Sequence, residues 1–238
     1  MMKVNTGTHI GKRESNQDVI LNGSSSTPKV SIHLLADGMG GYDNGQIAAQ
    51  ISTETIFNSL TKSKQFDIED LQNAVNEANH EILKFQNKSQ SRLGATIGGI
   101  ILAQDTAKFF WVGDVKIMLY SKNKLKFESR SHNLTNELLN SHLSNEALKS
   151  SKYSHVVTRS IQGDIKKSLI SYQEIDITKD DVVLICSDGL HNIIDSQTIQ
   201  HILNNNSFET FNSIIHERLK IEAIDNASLI SISVNNIA

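Results

Sequence analysis

Four short apolar runs in the middle of the chain are joined by connections of only a few residues. They are GATIGGIIL (94–102), KFFWV (108–112), KIMLY (116–120) and LKFE (125–128). A parallel pair of strands needs a crossover of about a dozen residues or more, so these connections allow only antiparallel pairing. An antiparallel sheet in the middle of the chain is therefore the strongest constraint on its fold.

Bunches of strands and pairs of helices alternate on both sides of this region. A helix is expected over about 45–60, and apolar residues at steps of three and four predict a second over 68–85, capped by Asp67. Two further helices are expected near 196–205 and 208–223. This order favours an α+β sandwich over a doubly wound parallel sheet. The other strands are expected at 3–9, 19–21, 30–36, 169–175, 181–187 and 228–234.

One segment, NGSSSTPK at residues 22–29, is rich in loop-forming residues and holds the only proline of the chain. It lies between two apolar runs, which is typical of a hairpin loop and not of a domain linker. The sequence contains no internal repeat and no low-complexity tract. We therefore expect one domain over residues 1–238.

The composition excludes several classes of function. The formal net charge of -3 provides no basic surface for nucleic acid. No run approaches the roughly 18 apolar residues of a membrane span, and the first residues, MMKVNTGTHIGKRES, lack the apolar stretch of a signal peptide. The single cysteine, Cys186, excludes an internal disulfide and a thiolate zinc cluster, and it is expected in the core. We expect a cytoplasmic protein that binds neither nucleic acid nor membrane.

Aspartates lie at the ends of several predicted strands: Asp18, Asp37, Asp114, Asp188 and Asp225. Glycine follows Asp37 and Asp188, and it lets a backbone carbonyl approach a ligand closely. A single Asp-Gly pair is more often a plain turn, but carboxylates that converge from several strand ends suit hard divalent cations such as Mg²⁺ and Mn²⁺. Two such ions that share a carboxylate can ionise a bridging water for attack on phosphorus.

Six short motifs, in this order, carry a resemblance to a known family. They are RESNQD (13–18), DGMGG (37–41), GAT (94–96), VGD (112–114), SDGL (187–190) and DN (225–226). In these residues the chain resembles the metal-dependent (PPM, type 2C) Ser/Thr protein phosphatases in their compact bacterial form, from about residue 3 to 234. The resemblance implies a four-layer α-β-β-α sandwich, in which two antiparallel sheets are flanked by helix pairs and metals lie in a channel at one end.

The resemblance also implies metal-binding roles for several residues. Asp37 would bridge two metal ions, and the Gly38 carbonyl would bind one of them. Asp188 and Asp225 would hold the other ion. Asp18 would reach metal directly or through water.

Two further residues complete the implied site. Asp114 resembles the ligand of a third, weaker ion found in bacterial members, where it is shared with the residue at Asp188. Arg13 resembles the phosphate clamp, because a guanidinium can donate two parallel hydrogen bonds to phosphoryl oxygens. The alternative for Arg13 is a surface arginine that pairs with Glu14.

The activity that the resemblance implies is hydrolysis of phosphoserine and phosphothreonine in proteins, with Mn²⁺ or Mg²⁺ as cofactor. A metal-bridging hydroxide would attack phosphorus without a covalent intermediate, with Asp37 and Asp188 as catalytic residues. The substrates would be targets of a bacterial Ser/Thr kinase, and the enzyme would act as a monomer. Two alternatives remain open: a catalytically silent regulatory binding module, and a phosphatase of one regulator such as a phosphorylated anti-sigma antagonist.

Some positions depart from the pattern of the family. Met39 stands where eukaryotic relatives have a histidine proposed as general acid, so the leaving group would take its proton from water or another group. Gln17 stands where a glutamate is frequent. Val115 and Lys116 replace a serine and an arginine.

The segment over about 131–166 resembles the flap of the family, a mobile element beside the active site. It contains His132, His142 and His155, whose spacing fits no common zinc motif. We expect these to be histidines of solvated loops.

Overall fold

The computed structural model describes residues 2–26, 28–39, 44–122, 124–140, 153 and 155–234. Within them lie the strands β1 (Met2–His9), β2 (Asp18–Ser26), β3 (Lys29–Met39), β4 (Gly94–Leu102), β5 (Thr106–Val112), β6 (Lys116–Ser121), β7 (Lys124–Glu128), β8 (Ser171–Asp176), β9 (Val182–Cys186) and β10 (Ala227–Val234). The α-helices are α1 (Asn44–Leu60), α2 (Ile68–Ser89), α3 (Leu134–Asn140), α4 (Asp188–His191), α5 (Ser196–Asn205) and α6 (Phe208–Glu222).

The strands form two five-stranded sheets in which all neighbours are antiparallel. One sheet has the order β1-β10-β9-β6-β7, and the other has the order β2-β3-β4-β5-β8. The chain therefore crosses between the sheets at the β5–β6 turn, where Asp114 lies, because β5 and β6 belong to different sheets. The predicted antiparallel pairing of the central runs is confirmed.

Alternation along the strands builds a separate core on each face of a sheet. On β3, Leu34 and Ala36 pack against apolar residues of α1 and α2, whereas Leu35 lies between the two sheets. On β9, Leu184 packs with residues of α5 and α6, while Ile185 faces the other sheet. This period of two is what a sheet covered on both faces requires. The predicted α+β sandwich, with layers in the order α-β-β-α, is confirmed.

The hairpin between β2 and β3 is tighter than the sequence indicated. Residues 22–26 continue β2, and Asn22, Gly23 and Ser24 pair with His33, Ile32 and Ser31. The prediction of a loop over 22–29 was wrong because tertiary packing overrides the loop-forming composition. A Cβ at Gly23 would lie 2.3 Å from the ring of Phe57 on α1. Glycine at this position therefore leaves room for the Phe57 ring to pack on the strand.

Two short helices escaped the sequence analysis. α3 begins after Asn133, whose side chain accepts a hydrogen bond from the Asn136 amide at 2.9 Å. α4 spans four residues from Asp188. Neither is long enough to establish an apolar period of 3.6 residues, which is the signal that predicted α2 and its cap, Asp67.

Cys186 is fully buried at the end of β9, as predicted. Among the described helices, none has the length and apolar character that crossing a membrane requires.

We expect Gly99→Ala to lower the free energy of unfolding by about 1–3 kcal/mol, measured by urea denaturation. Gly99 on β4 pairs with Phe110 on β5, and an added Cβ would lie 2.0 Å from the Phe110 ring. That ring is fully buried and has little room to shift. Gln173→Ala, at an exposed position of β8, is the control and should change stability by less than about 0.5 kcal/mol. Wild-type stability in Gly99→Ala would contradict the placement of the Phe110 ring over Gly99.

Candidate metal and phosphate site

Three residues from neighbouring strands form a polar row at one end of the second sheet. Asp18 opens β2 and pairs directly with Asp37, near the end of β3. Asp37 in turn pairs with Thr96 on β4. Directly opposite residues of antiparallel strands point to the same face with Cβ atoms about 5 Å apart. The ladder register therefore brings Asp18, Asp37 and Thr96 side by side.

The first sheet contributes two more carboxylates from the same end of the sandwich. Asp188 opens α4 directly after β9, and Asp225 precedes β10. Ser187 joins the two sheets at this point: its hydroxyl donates to Asp18 Oδ2 at 2.8 Å and accepts from the Ser228 amide at 2.9 Å. A serine fixed by the backbone of β10 thus holds one carboxylate of β2.

Two histidines hold the β5–β6 turn that carries Asp114. The Gly113 amide donates to His132 Nδ1 at 3.1 Å, and His191 Nε2 donates to the Asp114 carbonyl at 3.1 Å. Gly113 has a φ of +102°, a conformation that favours glycine. His132 also bonds Ser171 and is buried, so its predicted place in a solvated loop was wrong.

The carboxylates surround a cavity of about 550 Å³. Its lining includes Arg13, Asp37, Gly38, Asp114, Asp188 and Asp225, all of which were singled out from the sequence. Asp18 does not belong to the lining. It is buried beside Asp37 in the ladder, which suits a residue that acts on bound groups through other atoms.

Burial and mutual repulsion raise the pKa values of these carboxyl groups. Burial is the main cause for Asp37, whose pKa lies well above the ordinary value, and the charges of Asp18 and Asp188 raise it further. Burial likewise raises the pKa of Asp18 and of Asp114 to about 6. For Asp188, burial and then the charge of Asp225 raise the pKa. Several carboxyl groups thus lie in one region with little access to water, where their negative charges repel one another.

The donor set of this region fits a hard divalent cation. It consists of carboxylate and carbonyl oxygens, and Asp18 Oδ1 is buried with no hydrogen-bond partner in the described structure. In that part of the chain, no three His, Cys, Asp or Glu side chains are grouped tightly enough to hold an ion alone. A bound Mg²⁺ or Mn²⁺ would therefore combine few carboxylates with water and the Gly38 carbonyl, a mixed shell that such ions accept.

Arg13 makes an ion pair that was not predicted. Its Nη2 lies 2.7 Å from Asp225 Oδ2, so the arginine pairs with a candidate metal ligand and not with Glu14. Both side chains are partly exposed, and an ion pair in such a setting is weak enough to exchange partners.

The segment that carries Arg13 is tethered by Asn226, a role that was not predicted. The Asn226 amide nitrogen donates to the carbonyls of Ile10 and Ser15, both at 2.9 Å. Its oxygen accepts from the Gln17 amide, also at 2.9 Å. The Asp225-Asn226 pair was the sequence signal, but only the fold shows that it binds residues about 210 positions away.

Two of the positions that depart from the family pattern, Met39 and Lys116, have different surroundings. Met39 lines the cavity, as does the exposed His155. Lys116 forms an ion pair with Glu128 at 3.2 Å. His142 lies outside the described residues.

The two ends of the segment over 131–166 pair with each other and with the sheet. Asn133 forms a bridge with Val157, and Ile161 forms one with Ala95 on β4. Residues 141–152 and 154, in the middle of this segment, lie outside the described part of the chain. The assignment of the segment as a flap stays a prediction.

Comparison with known proteins places this arrangement in a family. A putative protein phosphatase of Mycoplasma genitalium is 27% identical over 210 residues, which cover 81% of this chain and 79% of the relative. The structure of the Streptococcus agalactiae serine/threonine phosphatase has a TM-score of 0.86 at 22% identity, covering 99% of this chain and 100% of that one. The catalytic domain of the phosphatase PstP, solved in complex with two manganese ions, has a TM-score of 0.82 at 20% identity and covers 99% of both chains.

These structures share the fold of the chain, which agrees with the sandwich described above. The sequence profile described as protein phosphatase 2C matches residues 7–228, which is nearly the whole chain. The predicted family is therefore confirmed: the chain belongs to the protein phosphatase 2C family.

Proposed function

We propose that this protein is a metal-dependent phosphatase of phosphoserine and phosphothreonine residues. The observation that carries the proposal is the convergence of Asp37, Asp114, Asp188 and Asp225 on one cavity that also contains Arg13. The names of relatives as serine/threonine phosphatases and the two manganese ions of the PstP structure support it.

The residues of the cavity would bind different metal ions. Asp37 would be shared between two Mn²⁺ or Mg²⁺ ions, with the Gly38 carbonyl on one and Asp188 and Asp225 on the other. When bound, these ions supply an ionised water and offset negative charge on the phosphoryl oxygens. Asp114 would hold a third, weaker ion together with Asp188.

Arg13 would orient the substrate after exchanging its partner. In the structure it neutralises Asp225 at 2.7 Å. A cation bound to Asp225 would compete with the guanidinium for the same carboxylate, because both are positive. The guanidinium, once released, can donate two parallel hydrogen bonds to the phosphoryl group.

Further features of this proposal concern the setting of the enzyme. The substrates would be proteins phosphorylated by a bacterial Ser/Thr kinase, and the enzyme would act in the cytoplasm as a single-domain monomer over residues 1–238. It would bind neither nucleic acid nor membrane. A catalytically silent binding module is not favoured, because every acidic position of the implied metal site is retained.

We expect Asp37→Asn and Asp188→Asn to lower Mn²⁺-dependent turnover of a phosphothreonine peptide more than about 100-fold. The metal-free variants should be more stable than the wild type by about 0.5–2 kcal/mol, since an amide removes repulsion between buried carboxylates. Thermal unfolding in chelator measures this second effect.

Asp176→Asn is the matched control for both measurements. Asp176 is exposed at the end of β8, and its replacement should leave turnover and stability near the wild-type values. Wild-type turnover in Asp37→Asn or Asp188→Asn would remove the metal site from the proposed function.

We expect Arg13→Ala to raise KM for the peptide strongly while Mn²⁺ affinity stays the same or increases. The variant loses the phosphate clamp, but it also loses a positive charge 2.7 Å from the Asp225 carboxylate. Arg13→Lys keeps that charge without the planar fork and should recover KM only in part. Steady-state kinetics and Mn²⁺ calorimetry check the two effects. Weakened Mn²⁺ binding with unchanged KM would contradict the clamp.

We expect Mn²⁺ affinity to increase as the pH rises from about 5 to 7.5. Burial raises the pKa of Asp18 and of Asp114 to about 6, so protons compete with the cation below that pH. Binding near pH 6 should therefore release protons, which calorimetry in buffers of different ionisation enthalpy detects. Affinity that does not change over this range would contradict binding at these carboxylates.

A further inference from the structure

One buried hydroxyl at the site has no partner that the described structure supplies. Thr96 is only 1% exposed, and its Oγ1 makes no hydrogen bond. A buried hydroxyl without a partner costs roughly 1–3 kcal/mol, and valine would fill the same space without that cost. We therefore expect the Thr96 hydroxyl to have a hydrogen-bond partner other than those it has in the described structure.

The surroundings of Thr96 restrict what that role can be. Its backbone pairs with Asp37 in the ladder, so the two side chains lie on the same face of the sheet. Its methyl group packs on Gly113, where an added Cβ would lie 2.4 Å from Thr96 Cγ2. Thr96 also lines the cavity, and its Oγ1 is buried, so its partner must come from the groups that meet there, of which Asp37 is the adjacent carboxylate.

The Asp37 carboxyl group is a suitable acceptor for the Thr96 hydroxyl. Asp37 lies directly opposite Thr96 in the ladder and lines the same cavity as Thr96 and Asp188. When cations bind Asp37 from the cavity, a carboxylate oxygen of Asp37 would be in position to accept a hydrogen bond from the Thr96 hydroxyl.

We propose that Thr96 is a positioning residue for Asp37: its hydroxyl donates a hydrogen bond to the Asp37 carboxylate when that group is bound to cations. This inference rests on the proposed function for the role of Asp37. The hydrogen bond fixes the direction of the shared carboxylate.

The test compares Thr96→Val, which keeps the shape of the side chain, with Thr96→Ser, which keeps the hydroxyl. Thr96→Val should weaken Mn²⁺ binding about tenfold or more in calorimetry, because a hydrogen bond to a charged group is lost. Thr96→Ser should stay within about threefold of the wild type. In chelator, Thr96→Val should be as stable as the wild type or more stable, since it deletes a hydroxyl without a partner.

Ser52→Ala is the matched control. The Ser52 hydroxyl on α1 is also buried without a partner, but it does not line the cavity. Its removal should leave Mn²⁺ affinity unchanged. A second control repeats Thr96→Val in the Asp37→Asn background, where the residual Mn²⁺ affinity should not fall further if Thr96 acts through Asp37.

The outcomes separate this inference from the proposed function. Wild-type Mn²⁺ affinity in Thr96→Val overturns the inference, and so does an equal loss in Thr96→Val and Thr96→Ser, which would assign the effect to packing. A loss that persists in the Asp37→Asn background also overturns it, because the hydroxyl would then act on bound water or phosphate. If the wild type binds Mn²⁺ but releases no phosphate from any phosphopeptide, the proposed function fails while the calorimetry still decides the role of Thr96.

Discussion

Several carboxylates are buried close together at one end of the sandwich, and the cost of their negative charges decides what the site can bind. Burial first, and repulsion between like charges after it, raise the pKa values of Asp18, Asp37, Asp114 and Asp188. No contact between neighbouring residues in the sequence would bring these carboxylates together. The two sheets do so, because ladder register and the Ser187 bridge fix their positions before any ligand binds.

The same constraint explains why the frame around the site is so heavily hydrogen-bonded. Asn226 ties the Arg13 segment to the start of β10, and His132 and His191 hold the turn of Asp114 from two sides. Each contact joins segments far apart in sequence. A frame that could relax would let the carboxylates separate, and the affinity for a pair of cations would be lost with their convergence.

Arg13 provides the one positive charge that contacts a carboxylate of the cavity directly in the described structure. Its partner, Asp225, is one of the carboxylates that the family resemblance assigns to a metal ion. One arginine can thus balance Asp225 in the absence of a cation and face the phosphoryl group in its presence. Because both side chains are partly exposed, the exchange between these states costs little free energy.

The sequence predicted what depends on local patterns and on motif order. Apolar runs and short connections predicted β4 to β7, and the period of 3.6 residues predicted α2. The motifs at the strand ends predicted five residues that line the cavity: Asp37, Gly38, Asp114, Asp188 and Asp225. Contacts between distant segments escaped prediction. The pairing of Arg13 with Asp225 and the bonds of His132 depend on the closed fold, and the packing of Phe57 on Gly23 turned an apparent loop into strand.

Electron paramagnetic resonance of the Mn²⁺-loaded protein shows whether Asp37 is shared by two ions. Two Mn²⁺ ions that share the Asp37 carboxylate lie close enough for exchange coupling, so we expect the multiline spectrum of a coupled pair. A spectrum of isolated ions at full loading would contradict it, because the carboxylates would then hold separate cations and not a shared pair.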